Sequence, residues 1–190
     1  MAIKDVTRVV TAGRRAGSVQ SLASGSAPVQ PAQAGAQAGA QAGARVVGLP
    51  VAAIQADPAV QMRAGGIDEE RAQMYAQAMI DGDDFPPVVV AAEHGLYWLA
   101  DGFHRLAAAE IAGLAELPAR VLEGGRRAAL LYAVGANADH GMDRTKEDKW
   151  RAVRAMLSDP EWSKWVNAEI ARRCRVSDPF VATVRETMER

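Results

Sequence analysis

Residues 99–121 read LADGFHRLAAAEIAGLAELPARV and carry the most informative local pattern in this 190-residue chain. A hydrophobic, strand-like segment ends at Asp101-Gly102, and small and apolar residues then form a predicted helix that ends at Gly113. The first N–H groups of a helix lack intrahelical partners and carry partial positive charge, so an anion can bind there. Gly102 lets the backbone approach such an anion closely. This order of strand, glycine turn and helix predicts a phosphate site.

Three side chains in the turn extend that prediction. Arg105 can donate two parallel hydrogen bonds to phosphate oxygens, and His104 can donate another. Asp101 cannot bind phosphate directly, but its carboxylate can hold Mg²⁺ (or Mn²⁺) or orient His104. We therefore name Asp101, His104 and Arg105 as candidate catalytic residues, and Asp101 as the candidate metal ligand. In the alternative interpretation Asp101 caps an ordinary helix and Arg105 forms a surface ion pair.

The segments around this turn predict an α+β fold. Strands are expected at 46–51, 88–90, 96–99 and 117–122, and helices at 68–80 and 104–112. From residue 126 onward the periodicity is helical only, and the order β-α-β-β-α-β followed by helices indicates the α+β class. We divide the chain into a disordered low-complexity segment (1–45, with the repeat AQAGAQAGAQAGA), a nucleotide-binding domain (46–125) and a helical DNA-binding region (126–190).

Composition excludes several classes of protein. A single cysteine, Cys174, rules out a disulfide framework and a cysteine-rich zinc site. Without a run of 18 apolar residues or a signal peptide, we expect a bacterial cytoplasmic protein and no membrane partner. The net charge of -1 hides an asymmetry. The stretch 46–125 is strongly acidic, whereas both ends of the chain carry an excess of Lys and Arg, so DNA is expected at the ends.

These motifs together resemble the ParB/sulfiredoxin superfamily. The stretch 99–121 is similar to its second conserved box, in which a Gly-x-(His/Arg)-Arg turn holds nucleotide phosphates. Residues 51–63, VAAIQADPAVQMR, resemble the arm that precedes it, with Gln61 and Arg63 in the polar positions. Residues 133–149, AVGANADHGMDRTKEDK, resemble the third box, which places an acidic residue and an asparagine near metal and triphosphate.

The resemblance implies that a nucleoside triphosphate, ATP or CTP, binds with Mg²⁺. The residues it places around the phosphates are Gln61, Arg63, Gly102, His104, Arg105, Asn137, His140 and Arg144. Two departures narrow the chemistry. Phe103 stands where sulfiredoxins have cysteine, which argues against sulfinic acid reduction, and Ala136 stands where partition proteins have glutamate, so a metal ligand is missing or comes from Asp101 or Asp139. Thr145 and Asp148 fit a capping box that starts a helix.

The C-terminal segment 161–188 predicts a helix-turn-helix. Ala171 is the small residue at the helix crossing, and the surrounding buried positions are taken by Ile170, Cys174, Val176, Val181 and Val184. Arg175 occupies the turn position where glycine is usual, so a positive φ is expected there. Ser177 is expected to cap the second helix. The candidate DNA contacts are Arg172, Arg173, Arg175, Ser177, Thr183 and Arg185. A helical hairpin that only packs on the core is the alternative.

Three functions remain open from the sequence. The first is a Mg²⁺-dependent nucleoside triphosphatase that binds DNA, with or without DNase activity, as the resemblance to short plasmid fertility-inhibition proteins of the superfamily implies. The second is a DNA-binding regulator or partition accessory in which the nucleotide is only a switch. The third is a free-serine kinase, which the helix-turn-helix disfavours. Partners expected in addition to DNA and nucleotide are a second copy of the chain or another protein.

Overall fold

The computed structural model describes residues 45–136 and 143–190. The predicted disordered segment therefore lies outside the described residues apart from Arg45, as do the candidate ligands Asn137 and His140. The strands are β1 (Val46–Pro50), β2 (Ile54–Gln55), β3 (Val88–Glu93), β4 (Leu96–Asp101) and β5 (Glu116–Glu123). The helices are α1 (Glu69–Asp81), α2 (Phe103–Ile111), α3 (Gly125–Ala133), α4 (Lys146–Leu157), α5 (Asn167–Cys174) and α6 (Asp178–Glu189).

The five strands form one mixed sheet in the order β1-β5-β3-β4-β2. β1 and β5 are antiparallel, as are β3 and β4, whereas β5 runs parallel to β3 and β2 runs parallel to β4. The β3–β4 hairpin turns at His94 and Gly95, both of which have positive φ. β4 therefore delivers Asp101 and Gly102 to the end of an inner strand of the sheet.

Alternating residues of β3 divide the core into two layers, as expected for a sheet covered on both faces. Val88 and Val90 lie in one cluster, with Leu99 of β4 and Leu106 of α2. Ala91 points to the other face and lies in the second cluster, which contains Ala129 and Val134 from α3 and its C-terminal cap and also residues of α4, α5 and α6. α1 packs on α2, which in turn contacts β3. The sheet thus separates an α1–α2 layer from the layer that contains α3.

Most predicted elements are confirmed, because local signals specify them. The side chain of Asp68 caps α1 by accepting from the Arg71 N–H, and Thr145 and Asp148 form the expected capping box of α4. The prediction missed β2 and the 3-10 turn Val51–Ala53 before it. A strand of only two residues, Ile54 and Gln55, is too short to show an alternating hydrophobic pattern. Its pairing with Tyr97 and Trp98 is therefore decided by tertiary packing.

The C-terminal helices form the expected helix-turn-helix arrangement. α5 and α6 are joined by three residues, and Arg175 has the predicted positive φ of 53°. The predicted core residues are buried, except that Val176 is only partly so. The prediction that the Ser177 side chain caps α6 is wrong, because it accepts no hydrogen bond there. Pro179 removes one N–H of the first turn, and the Phe180 N–H bonds the Ser177 carbonyl instead.

The division at residue 125 stays an interpretation. α3 packs on β3 and β4, and the second hydrophobic cluster runs without a break from the sheet to α6. The helical region is therefore continuous with the α/β part through its core. Among the described residues, no helix is both long enough and apolar enough to cross a membrane.

Candidate nucleotide-phosphate cleft

The turn that follows β4 is built around Gly102, the residue before α2. Its φ is 101°, a conformation that residues with a Cβ rarely adopt. A Cβ at this position would lie 2.6 Å from Cγ1 of Val88 and 3.1 Å from Nη2 of Arg105. The turn is therefore closed on the sheet side, and Gly102 is required both for its φ and for this close approach.

Arg105 directs its guanidinium into the protein in this structure. Nη1 donates to the carbonyls of Pro86 and Pro87, at 2.5 and 2.9 Å, and Nη2 pairs with Oδ2 of Asp101 at 3.0 Å. The side chain is only 16% exposed. Arg105 thus holds the segment before β3 against the turn. A direct phosphate contact from Arg105 would compete with these bonds.

A cleft opens beside the turn, on the sheet face that carries α3. Its cavity volume is about 20 Å³, room for about one water molecule, so the cleft is narrow in this structure. Its polar lining residues are Gln61, Arg63, Asp101, Arg144 and Asp148, and its apolar lining includes Phe103, Ala133 and Ala136. Four of the residues predicted from separate motifs therefore meet in one cleft: Gln61, Arg63, Asp101 and Arg144.

Arg63 is anchored in the cleft by an ion pair. Its Nη1 donates to Oδ2 of Asp148 at 3.0 Å and to the Asp143 carbonyl at 2.9 Å. Burial alone would raise the pKa of Asp148, which is 3% exposed, but hydrogen bonds from the Ala64 and Thr145 N–H groups and from Arg63 outweigh it and hold the pKa below its usual value. Asp148 is therefore a carboxylate whose oxygens are already used, and it orients Arg63.

Two buried donors in the cleft lack an acceptor among the described residues. Nε2 of Gln61 has no hydrogen-bond partner, while its Oε1 accepts from the Arg63 N–H. Nη2 of Arg144 is also unpaired, while Nη1 donates to the Cys174 carbonyl at 2.8 Å. Buried donors without partners are costly and uncommon in folded proteins, where each is normally satisfied by protein, water or ligand. Both line a cleft that suits an acceptor-rich ligand.

His104 does not line the cleft in this structure, and its side chain contacts the start of α1. Its Nε2 accepts from the Asp68 N–H at 3.0 Å, which assigns the proton of the neutral ring to Nδ1. Burial lowers the pKa of His104, the charges of Arg71 and Arg63 lower it further, and only Asp68 opposes them. The imidazole is therefore neutral near pH 7, and Nδ1 is the atom that can donate to a ligand.

The lowered pKa makes a prediction about stability. Because folding favours the neutral ring, the stabilisation is complete above the unfolded pKa of about 6.5 and is lost as pH falls through the lower folded pKa. We expect the free energy of unfolding to decrease between pH 7 and pH 5, and His104→Gln to flatten that slope. Urea unfolding at several pH values measures it, with His94→Gln in the exposed hairpin turn as control. An unchanged slope in His104→Gln contradicts the assignment.

Cys174 is unsuited to thiolate chemistry. It is a free, fully buried cysteine at the end of α5, and burial raises the pKa of its thiol to about 12. A thiol with such a pKa stays protonated and is a poor nucleophile at neutral pH. The side chain belongs to the core, as predicted from its position in the helix-turn-helix.

The described residues fit Mg²⁺ only partly. No group of three or more His, Cys, Asp or Glu side chains is placed to hold a metal within 45–136 and 143–190. Asp148 is saturated by hydrogen bonds, and Asp101 shares one oxygen with Arg105. Mg²⁺ commonly binds through one or two carboxylates plus substrate phosphates, so Asp101 fits that role once phosphates are present.

The candidate DNA-binding arginines differ in their surroundings. Arg172 and Arg173 both pair with Glu169, but Arg172 is exposed whereas Arg173 is half-buried over the Trp165 ring. Arg185 instead donates to Oδ1 of Asn167 and to the Ser163 and Trp165 carbonyls, which ties α6 to the first residue of α5 and to the segment before it. Arg185 is thus placed to position α6 rather than to reach a base edge. Thr183 stays on the exposed side of α6, with its hydroxyl bonded to the Pro179 carbonyl.

Sequence reasoning missed the part that Asp148 plays in the cleft. The capping-box pattern accounted for an aspartate at position 148 from its neighbours alone. The sequence therefore gave no sign that Asp148 pairs with Arg63, which lies 85 positions earlier. A buried charge is almost always paired, and that rule identifies the partner only once burial is known. Phe103 was noted as a departure from the cysteine pattern, and the structure shows that it lines the cleft.

The model of the ParB N-terminal domain matches residues 35–138, more than half of the chain. The chain belongs to the ParB N-terminal domain family. A curated relative, a possible regulatory protein of the streptomycin biosynthesis operon from Streptomyces griseus, is 33% identical over 107 residues. That match covers 56% of this chain but only 29% of the relative's length.

Three solved structures are similar in fold to this ParB-family chain. Sulfiredoxin from Arabidopsis thaliana is 20% identical, with 46% of this chain and 96% of that chain covered and a TM-score of 0.39. Truncated ParB from Caulobacter crescentus complexed with CTP-gamma-S is 21% identical, with 74% and 76% covered and a TM-score of 0.44. The same protein complexed to the centromeric parS site is 22% identical, with 74% and 69% covered and a TM-score of 0.47.

Proposed function

We propose that this ParB-family chain binds the phosphate groups of a nucleoside triphosphate in the cleft beside Gly102, and that its C-terminal helix-turn-helix binds DNA. The main support for nucleotide binding is a pair of buried donors without hydrogen-bond partners, Nε2 of Gln61 and Nη2 of Arg144, which line the same cleft. Phosphate oxygens are strong acceptors that would satisfy both groups.

The charge of the cleft supports an anionic ligand. Two cations, Arg63 and Arg144, and two acids, Asp101 and Asp148, line it. Asp148 forms its ion pair with Arg63 and Asp101 pairs with Arg105 outside the lining, so Arg144 is the lining cation without an ion pair to a described residue. Arg144 is buried enough for its pKa to be lowered, so an anion beside it would recover part of the desolvation cost. Gly102 and the N-terminus of α2 add backbone dipoles of the favourable sign.

Hydrolysis is a further part of the proposal, with Asp101 and His104 in the catalytic roles. Asp101 would place Mg²⁺ or a water, and Nδ1–H of His104 would donate to a phosphate oxygen. Phosphate release from ATP and CTP, measured with and without DNA, tests this part. Binding without turnover would leave the second candidate, a regulator with a nucleotide switch, which the saturated Asp148 and the Nε2 bond of His104 favour. DNA cleavage and plasmid fertility inhibition stay predictions of the resemblance.

The decisive experiment for nucleotide binding is Gln61→Glu. Glutamate keeps an oxygen for the Arg63 N–H but replaces the unpaired donor with a negative oxygen. We expect affinity for ATP or CTP to fall about tenfold to 100-fold, because a charge-assisted hydrogen bond contributes about 1.5–3 kcal/mol. Titration calorimetry measures it.

Gln73→Glu makes the same chemical change on the exposed side of α1 and is the matched control. Equal affinity in Gln61→Glu and Gln73→Glu contradicts the proposal. Arg105→Ala discriminates less well, because Arg105 also holds Pro86, Pro87 and Asp101.

The proposed DNA-binding unit consists of α5 and α6. Three residues join the helices, and Ala171 is buried at their crossing. Arg172 is exposed, and Arg173 is half-buried over the Trp165 ring. Phosphate contacts of this kind make binding fall steeply with salt. The double variant Arg172→Ala/Arg173→Ala is expected to weaken duplex DNA binding and to lower that salt dependence, while nucleotide affinity stays unchanged.

A further inference from the structure

A second, more open groove runs along α4 on the outer side of the Arg63–Asp148 pair. Its cavity volume is about 350 Å³. Its lining residues are Ala64, Lys146, Glu147, Trp150, Arg151 and Arg154. None of these residues belongs to the lining of the phosphate cleft or to the helix-turn-helix.

The groove presents cations on both sides of an indole ring. Lys146, Trp150 and Arg154 are four residues apart on α4, so they form one stripe about 12 Å long. Arg151 adds a third cation, and Glu147 is the one acid in the lining, so the lining carries a net charge of +2 (three cations, one acid). This positive charge contrasts with the acidic stretch 46–125.

The cations of the stripe are available to a ligand. Neither the Lys146 nor the Arg154 side chain forms a hydrogen bond or ion pair with a residue in the described part of the chain. Arg151 donates through Nη2 to the Pro58 carbonyl at 2.7 Å, which leaves other N–H groups of its guanidinium. The buried side of α4 is occupied by Asp148, Ala152, Val153 and Met156, so the stripe lies on the opposite, outward side of the helix.

Trp150 is half-buried. It packs against the large hydrophobic cluster and also lines the groove. An indole between cations is the arrangement with which proteins bind single-stranded nucleic acid: phosphates contact the cations and an unstacked base stacks on the ring. A duplex keeps its base faces stacked, and an acidic peptide would use the cations alone.

We propose that the α4 groove binds single-stranded nucleic acid, with a base stacked on Trp150 and backbone phosphates on Lys146, Arg151 and Arg154. This site is separate from the duplex surface proposed for α5 and α6. It does not depend on nucleotide binding in the cleft. The charge complementarity and the indole at the centre of the stripe carry the inference.

The test is fluorescence anisotropy of the full chain with a labelled oligo-dT strand of about 16 nucleotides. We expect Trp150→Ala to weaken binding about tenfold or more and Trp150→Phe to retain most of it, because stacking contributes about 1–3 kcal/mol per base. Arg154→Ala is expected to weaken binding and to reduce the slope of log affinity against log salt by about 0.7. Lys164→Ala removes an exposed charge outside the groove and should leave both quantities unchanged.

If Trp150→Ala binds oligo-dT with wild-type affinity, the proposal is overturned. It is also overturned if the chain binds an oligo-glutamate peptide more tightly than oligo-dT and Trp150→Ala does not change that peptide affinity. If circular dichroism shows that Trp150→Ala unfolds, Arg154→Glu decides, since that side chain is exposed. Undiminished oligo-dT binding in Arg154→Glu then rejects the site. Gln61→Glu should leave oligo-dT affinity unchanged, so failure here and failure of the nucleotide proposal are distinguishable.

Discussion

Asp148→Ala is expected to lower the free energy of unfolding by about 3–5 kcal/mol, because it leaves the partly buried guanidinium of Arg63 without its carboxylate. Asp148 is 3% exposed and also accepts from the Ala64 and Thr145 N–H groups. Its loss would therefore release the arm before α1 and the start of α4 together. Urea unfolding followed by circular dichroism measures the change.

Glu147→Ala is the matched control for that prediction. Glu147 is the neighbouring acid in the first turn of α4, and its side chain is exposed. Its replacement removes a favourable interaction with the helix dipole and should cost less than about 1 kcal/mol. A similar, small loss in both variants would show that the Arg63–Asp148 pair contributes little. A large loss in Asp148→Ala alone identifies the pair as the connection between the arm and α4.

Gly102→Ala is expected to destabilise the protein by about 2–5 kcal/mol. The φ of 101° strains any residue with a Cβ, at about 1–2 kcal/mol, and overpacking against Cγ1 of Val88 adds about 1–3 kcal/mol. The alanine would also press on Nη2 of Arg105 and disturb its pairing with Asp101. Nucleotide affinity should therefore fall together with stability.

Gly113→Ala separates backbone strain from the clash. Gly113 also has a positive φ, 67°, but a Cβ there would meet nothing within 4 Å. We expect a loss of about 1–2 kcal/mol from strain alone and no effect on nucleotide affinity. Thermal or urea unfolding of the two variants side by side measures the difference. Equal losses would show that the sheet can shift to accommodate a Cβ next to Val88.

The predictions for Asp148→Ala and Gly102→Ala both concern residues that hold the walls of the cleft in place. Gly102 lets the turn lie against β3, and Arg105 then fastens the turn to the segment before that strand. Asp148 orients Arg63 in the cleft that Asp101 also lines. The shape of the cleft therefore depends on residues such as Gly102, Arg105 and Asp148. The unpaired hydrogen-bond donors that line it belong to other residues, Gln61 and Arg144.

Local patterns were sufficient for most of the secondary structure. The Asp68 cap, the capping box at Thr145 and the positive φ of Arg175 each depend on a few neighbouring residues, so the sequence specifies them directly. The glycine turn after β4 is of the same kind. Gln61, Arg63, Asp101 and Arg144 were named from motifs, and the fold brings these four into one cleft.

Long-range packing decided the rest. The short strand β2 exists because it pairs with β4, and α3 belongs with the sheet because Ala129 and Val134 pack against it. The direction of Arg105 depends on carbonyls 18 and 19 positions earlier, and Arg63 meets Asp148 across 85 positions. The amino-acid sequence alone thus determined the elements and the residue types at the turn, since capping, periodicity and glycine conformation are local. Contacts between distant segments decided which hydrogen-bond donors remain unpaired in the cleft. The physical reason is that a side chain becomes buried, and meets its hydrogen-bond partners, only in the packed chain.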